Sequence, residues 1–505
     1  MSENGRTPYG SDAMLGAILR RIMPDLDSEA LYRALLAKDT RFDGRFFVGV
    51  ATTGIYCRPV CRARKPLAVN CSFYATAAEA EQAGFRPCLL CRPELAPGYA
   101  PVDSSASLAR AAARYIERNC GVQGSLTDIA RHLGCSNRHL RRVFEDAYHV
   151  RPVEYRQTCR LLLAKSLLTD TDLSVVDVAY SAGFGSLRRF NEVFRHRYRL
   201  TPTALRSQAR LSRTDGDAVQ LSLGYRPPYR WDLMLKFLAR RAIPGVEKAE
   251  EDRYARTIRL QSSGRDLTGW VTVDNDAEHN RLTVTVSASL LPALPVVLDG
   301  IKNLFDLHCE PDTVARALTS MDESALGPFI PGIRVPGCFD AFETAVLAVL
   351  GQQVTVQAAR TLAGRLVQAL GSPMDTGIDG LTTTFPMVQE LLNLDGAIEQ
   401  HLGPLGIITA RARAIHGLAA MMGSDTIDAS YCPDPEAAVA RFMEIPGIGA
   451  WTAGYIAMRC LAWPDAFLAT DLEVRKALRT PSPGKILTLA ERWKPWRAYA
   501  VMHLW

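Results

Sequence analysis

Around Cys57 the chain reads CRPVC, and after a loop from Arg62 to Pro87 it reads CLLC. Two close thiol pairs separated by a loop constrain the fold more tightly than anything else in it. Each short pair lets one turn present two sulfurs to a single ion, which is what tetrahedral Zn²⁺ demands. Cys57 and Cys61 stand in C-x3-C spacing, Cys88 and Cys91 in C-x2-C, with Pro59 and Pro87 stiffening the turns. The spacing makes these four a zinc site, and by itself it suits an ion that only holds a small fold together. Arg58, Arg62, Arg64 and Lys65 crowd the cluster, either as a solvated basic rim or as phosphate contacts. Cys71 lies between the pairs and reads as a buried thiol outside the ligand set.

At 505 residues, 48% hydrophobic and 22% charged, the chain should hold several globular domains. No apolar run approaches the roughly eighteen residues a membrane helix needs, so a cytoplasmic protein is expected. Of 12 cysteines, those outside the cluster show no pairing logic, which fits reduced thiols. The net charge of +6 is uneven: residues 1–210 carry 31 basic and 20 acidic side chains, residues 211–505 carry 28 and 33. The front therefore has the electrostatic footprint of a nucleic-acid binder, while the rear must hold an anion by local geometry.

Residues 1–27 read as a loose polar tail followed by a short helix. A zinc domain spans 28–97 and closes in the Pro/Gly-rich linker PELAPGYAPVDSS. Over 106–210 two helix-turn-helix units follow. SLTDIARHL puts Leu126, Ile129, Ala130 and Leu133 on one face, and NRHLRRVFEDA forms the second helix. SVVDVAYSAGFGSLRRFNEVFRHRYRL repeats the scheme, with a helix from about Val153 to Leu168 joining the units. LSRTDGDAVQ is a polar connection. Residues 221–308 alternate apolar and polar positions in ARTIRL, GWVTV and RLTVTVSASL, the period of an antiparallel sheet with one buried face. WDLMLKFLARRA and PALPVVLDGIKNLF supply covering helices. Residues 309–505 are helical from Asp340 onward. The fold class is multidomain and mainly α, with a small α/β zinc domain and one mixed α+β domain.

Within the last part, FMEIPGIGAWTAGYIAMR is a helix-hairpin-helix. Gly447 and Gly449 let the backbone turn and leave amides to receive a phosphate, although a plain helix-helix turn has the same sequence. Asp471 in FLATDLEVRKAL precedes a further helix, where its ordinary work is capping.

The words GIYCRPVCRARKP and FRPCLLCRPE resemble the N-terminal domain of the Ada adaptive-response regulator family. That resemblance implies that Cys57 accepts a methyl group from DNA methylphosphotriesters, with Cys61, Cys88 and Cys91 completing the zinc site. The doubled unit ending in GFGSLRRFNEVFRHRYRLTPTALR resembles the AraC-type DNA-binding domain. This implies major-groove reading by Asn137, Arg138 and Arg141, then Ser186, Arg188, Arg189 and Asn191. A self-methylating activator implies promoter DNA and RNA polymerase as partners. No Pro-Cys-His-Arg motif occurs, so O6-methylguanine repair is not expected.

From about residue 225 onward, YRPPYRWDLMLKFLARRA, LFDLHCEP, VPGCFDAFETAVLAVLGQQVTVQAA and ERWKPWRAYAVMHLW resemble the AlkA family of 3-methyladenine DNA glycosylases. The resemblance makes Asp471 the stabiliser of the cationic sugar. It places Phe237, Trp451, Tyr455 and Trp505 around a flipped base. It also implies a carbonyl-held monovalent cation at the hairpin that bridges to the phosphate. Trp451 stands where bifunctional relatives have a lysine, so hydrolysis without strand cleavage is expected. Two departures are Leu472 in place of a pocket tyrosine and Gln353 in place of a wedging leucine. A DNA-binding regulator with an inactive glycosylase half remains the alternative.

Overall fold

The computed structural model describes residues 28–39, 42–96, 107–121, 125–208, 218–250, 252–262, 264–319, 321, 329–424, 432, 434–480 and 482–505. The tail and short helix expected over 1–27, the linker beyond residue 96 and most of the polar connection lie outside them.

In the zinc module a helix, Ser28–Ala37, precedes a four-stranded sheet of order β3-β1-β2-β4: β1 Phe47–Val50, β2 Ile55–Cys57, β3 Cys71–Tyr74 and β4 Arg86–Pro87. Alternation along β1 sends Val48 to a small core with Leu31, Phe46 and Phe73, and Phe47 to the opposite core with Tyr56, Tyr74 and Phe85. β1 pairs antiparallel with β2 and β3, while β2 pairs in parallel with β4. A helix, Ala77–Gln82, covers the second face.

Both helix-turn-helix units form, and a serine starts each of their four helices. Ser125, Ser136, Ser174 and Ser186 accept N–H bonds from Asp128, His139, Asp177 and Arg189. Such caps are each worth about 1 kcal/mol. The turn of the second unit runs through Gly183 at φ +85, where a Cβ would sit 2.5 Å from the Cys120 carbonyl. The joining helix, Pro152–Asp170, runs two residues beyond the expected end and serves as a spine. Its Lys165, 1% exposed, meets both Glu94 oxygens at 2.6 and 2.7 Å, and Asp170 meets Arg92, so the spine is bolted to the chain just past Cys91.

The rear sheet has five strands in the order β5-β9-β8-β7-β6, all antiparallel: β5 Ala218–Gly224, β6 Glu247–Glu250, β7 Arg253–Ser262, β8 Arg265–Asp276 and β9 Arg281–Ser287. Two of them were not anticipated. β5 starts at Ala218, inside the segment read as a polar connection, because Val219, Leu221 and Leu223 alternate inward. β6 is a short charged edge strand. Helices Trp231–Arg241 and Leu294–Leu304 take the expected places.

The cores ignore the boundary expected near residue 221. Leu161, Leu167, Phe184, Phe190 and Phe194 of the helix-turn-helix domain belong to one apolar cluster with Leu221, Val273, Val284 and Leu294. Polar contacts also cross between the halves, from Arg114 to Asn303 at 3.3 Å and from Arg45 to Glu310. Beyond residue 340 helices surround a second large core that includes Val346, Leu366, Ile415, Phe442, Ile456 and Trp493.

Burial alone would push the Glu94 carboxyl up, but Lys165 and Arg92 outweigh it and hold the group below its usual range. Its contribution to stability is therefore present above the ordinary carboxyl pKa and is lost as pH falls through the lower folded value. Lys165→Ala, which leaves a buried carboxylate with Arg92 alone, should lower stability by about 3 kcal/mol. A urea midpoint indistinguishable from that of the parent chain would contradict this.

Candidate functional sites

Sheet geometry builds the front centre. β2 ends on Cys57 and β4 leads into Cys88, and the Cys88 N–H donates to the Tyr56 carbonyl at 3.0 Å. The parallel pairing thus sets one sulfur of each pair side by side. Turns bring in Cys61 and Cys91, and all four ligand atoms lie within 4.8 Å of one another. Contact with Cys61 pushes the Cys57 thiol up, while contact with Cys57 pulls Cys61 down to about 7. Crowded thiols suit a shared cation that lets all of them ionise together. Among the described residues no carboxylate or imidazole belongs to the cluster, and a set of four soft donors fits Zn²⁺.

The sulfurs are not equivalent. Cys61 and Cys88 are buried, whereas Cys57 and Cys91 are half-exposed. The Arg58 main-chain N–H donates to Cys91 Sγ at 3.3 Å.

Arg58, expected as a phosphate contact, faces inward. Its Nε donates to Asp43 Oδ1 at 2.7 Å, its Nη2 to the other oxygen, and its Nη1 to the Cys91 carbonyl at 3.2 Å. A guanidinium satisfied by a carboxylate fork braces the cluster and has little left for DNA. Arg62 and Arg64 are exposed, and Lys65 donates to the Cys61 carbonyl at 3.3 Å. Cys71 is half-buried rather than buried, and its thiol donates to the Leu67 carbonyl at 3.4 Å.

On the second helices of the two units, Asn137–Tyr148 and Leu187–Tyr198, the side chains of Arg138, Arg141, Arg188 and Arg189 are all exposed. Asn191 is exposed too, whereas Asn137 is bonded to Thr127 at 3.0 Å. Ser186, expected at a base edge, also caps the helix: its hydroxyl oxygen accepts the Arg189 N–H at 3.2 Å.

In the rear centre Asp471 caps Leu472–Ala477, and four N–H groups converge on its 9% exposed side chain. Oδ1 accepts from Glu473 at 2.9 Å, Val474 at 3.1 Å and Trp505 Nε1 at 3.0 Å. Oδ2 accepts only Trp451 Nε1 among these, at 2.8 Å. Oδ1 thus serves the helix cap while Oδ2 is held by Trp451. The sequence placed both tryptophans as ring faces and missed them as donors.

The four expected aromatics do gather. Trp451 stacks on Tyr455 at 5.2 Å, and Phe237 stacks on Trp505 at 6.2 Å, with Tyr455 6.3 Å from Trp505. Two arginines that sequence reasoning passed over stand behind them. Arg241 lies 3.8 Å over the Phe237 ring, and Arg459 donates to the Tyr455 hydroxyl at 2.8 Å. Burial pushes the Tyr455 phenol up, but the two guanidiniums outweigh it and bring the group below its ordinary value. A charge ending an otherwise apolar helix face was the available signal.

The hairpin runs between helices Pro435–Met443 and Ala450–Arg459. Gly447 has φ +93 and supplies the turn, whereas Gly449 has φ −94. Gly449 contributes open space instead, since a Cβ there would meet nothing within 4 Å of a helix start that no side chain caps. Gln352 Nε2 donates to the Gly447 carbonyl at 2.8 Å and to Thr452 at 2.9 Å, leaving a cation one acceptor fewer at this turn. Next to it, exposed Gln353 is held at φ +53, an uncommon conformation for a residue with a side chain. Leu472 is 60% exposed beside Asp471.

Three family descriptions match the chain: "Metal binding domain of Ada" over residues 30–94, "Helix-turn-helix domain" over 129–208 and "AlkA N-terminal domain" over 220–340. A "Probable bifunctional transcriptional activator/DNA repair enzyme AlkA" of Mycobacterium tuberculosis is 36% identical over 488 residues, 95% of this chain and 96% of the relative. "DNA-3-methyladenine glycosylase 2" of Escherichia coli is 38% identical over 284 residues, covering 56% of this chain and 96% of that protein. "Bifunctional transcriptional activator/DNA repair enzyme Ada" of the same organism is 36% identical over 159 residues, 32% of this chain and 43% of its own length.

The purified chain should carry one zinc ion on its four-thiol cluster, and Cys61→Ser or Cys88→Ser should lose it. Atomic spectroscopy that finds no zinc in the parent chain would refute the assignment.

Proposed function

We propose that this chain, which belongs to the family of bifunctional transcriptional activator/DNA repair enzymes joining an Ada front to an AlkA rear, senses DNA methylation with its first half and excises methylated bases with its second. Double-stranded DNA is the common substrate.

The rear reaction rests on one observation, a nearly buried Asp471 carboxylate that two indole N–H groups aim beside a cluster of aromatic rings. An alkylated purine of the 3-methyladenine type is cationic, which makes it both a good leaving group and a partner for ring faces. Flipped among Phe237, Trp451, Tyr455 and Trp505, it leaves as its bond to C1′ breaks. Asp471 Oδ2 stabilises the positive charge that develops on the sugar and orients the water that completes hydrolysis. Trp451 and Trp505 fix the carboxylate by donation and carry no amine, so no Schiff base forms and the strand is not cut. The amides at Gly449 receive a phosphate of the duplex.

At the front, Cys57 is the methyl acceptor. It is half-exposed while Cys61 and Cys88 are buried, and the other half-exposed thiol, Cys91, already accepts the Arg58 N–H at 3.3 Å. Bound zinc supplies a thiolate at neutral pH. The Cys57 sulfur attacks the methyl carbon of a methylphosphotriester, a sulfur–carbon bond forms, the carbon–oxygen bond breaks, and the phosphate departs as a diester anion. The cluster thereby becomes less negative by one charge, which favours the DNA backbone. Exposed Arg62 and Arg64 meet phosphate, and Arg138, Arg141, Arg188 and Arg189 read the groove. The bound activator then recruits RNA polymerase.

Asp471→Asn should slow release of 3-methyladenine from methylated duplex by about a hundredfold or more. Trp451→Phe should slow it by a smaller factor through a misplaced carboxylate. Cys57→Ala should leave excision unchanged while abolishing a gain of about fourteen daltons on the Cys57 peptide, the mass of the transferred methyl. Equal excision by the parent chain and Asp471→Asn would defeat the rear assignment.

A further inference from the structure

Glu81 has no part in either reaction, yet it is fully buried at the meeting point of four segments. It lies on the helix Ala77–Gln82 of the zinc module. Its Oε1 accepts the Tyr56 hydroxyl at 3.1 Å and the Tyr198 hydroxyl at 3.3 Å. Its Oε2 accepts Thr158 Oγ1 of the spine helix at 3.1 Å and lies 3.8 Å from Arg197 Nε. The Glu81 carbonyl accepts Arg197 Nη1 at 2.7 Å. Tyr56, Thr158 and Tyr198 are themselves 0%, 3% and 2% exposed, so water offers them no alternative partner.

The two ends of this network matter. Tyr56 precedes Cys57, and its carbonyl accepts the Cys88 N–H, so one residue touches both ligand pairs of the metal cluster. Arg197 and Tyr198 end the second reading helix, Leu187–Tyr198, which carries Arg188 and Arg189 at its other end. One side chain therefore separates the zinc strand from a groove-reading helix. Burial pushes the Glu81 carboxyl up to about 7 against the opposing pull of Arg197, as expected of a joint cut off from solvent.

We infer that Glu81 is the joint through which the methylation state of Cys57 reaches the second reading helix, with Tyr56 as the lever. The inference rests on the reading of Cys57 as methyl acceptor. Methylation turns a charged sulfur ligand into a neutral thioether, which binds a metal ion more weakly and lets strand Ile55–Cys57 shift. Tyr56 must move with its neighbour. Its hydroxyl then either drags Glu81, and with it Tyr198 and Arg197, or leaves buried polar groups without partners. The first course moves the reading helix, and it adds to any change in charge felt by the DNA.

The test uses the full-length, zinc-loaded chain before and after incubation with duplex carrying methylphosphotriesters, with mass spectrometry of the Cys57 peptide and hydrogen exchange of residues 187–198. The parent chain should gain its methyl and show a severalfold change in exchange across the reading helix. Tyr56→Phe, which deletes only the hydroxyl, should keep its zinc and gain its methyl but lose that change, and Glu81→Gln should diminish it. If the parent chain methylates without altered exchange in 187–198, or if Tyr56→Phe responds as the parent does, the joint is refuted while the acceptor reading stands. If the parent chain takes no methyl on Cys57, the acceptor reading fails and the joint falls with it.

Discussion

An anion removed from water is costly unless donors or cations surround it, and this chain is organised around several such groups. Four thiols converge within 4.8 Å, where ionisation requires a metal. Glu94 survives burial beside Lys165 and Arg92. Asp471 is held by two amides and two indoles. In each case at least one partner comes from an element distant in sequence, so the need to satisfy one charge draws separate segments together.

The two halves answer the polyanion they share in different ways. The front has an excess of basic side chains and presents exposed arginines on its zinc rim and reading helices. The rear has an acidic excess, and what it offers instead is an open helix start at Gly449 and a cluster of aromatic faces, groups that act at short range. Long-range attraction thus resides mainly at one end. The halves are nonetheless not beads on a string, because the core of the second helix-turn-helix unit runs on into the rear sheet. The Ada-like front and the AlkA-like rear share one core through that continuity.

Much of this was legible from local pattern. Cysteine spacing marked the cluster, period-two alternation marked β7, β8 and β9, and a Gly-x-Gly turn before Asp471 marked the rear centre. Where the reading fell short, the cause was usually a long-range partner. β5 looked like connection because its three inward residues gain meaning only beside β9. Arg58 looked like a phosphate contact because nothing near it in sequence announces Asp43.

The sequence alone determined which atoms could do chemistry and where most helices and the longer rear strands would run, since both follow from residue type and spacing of a few positions. It determined that four sulfurs could share an ion and that a carboxylate would stand at a helix start. Only the tertiary structure decided how those atoms are dressed. It gave Cys91 a main-chain donor while leaving Cys57 half-exposed, put indole N–H groups on Asp471, and set Glu81 between the metal strand and a reading helix. The reason is that burial and hydrogen-bond partnership are properties of pairs of residues, and the pairs that matter here lie tens to hundreds of positions apart.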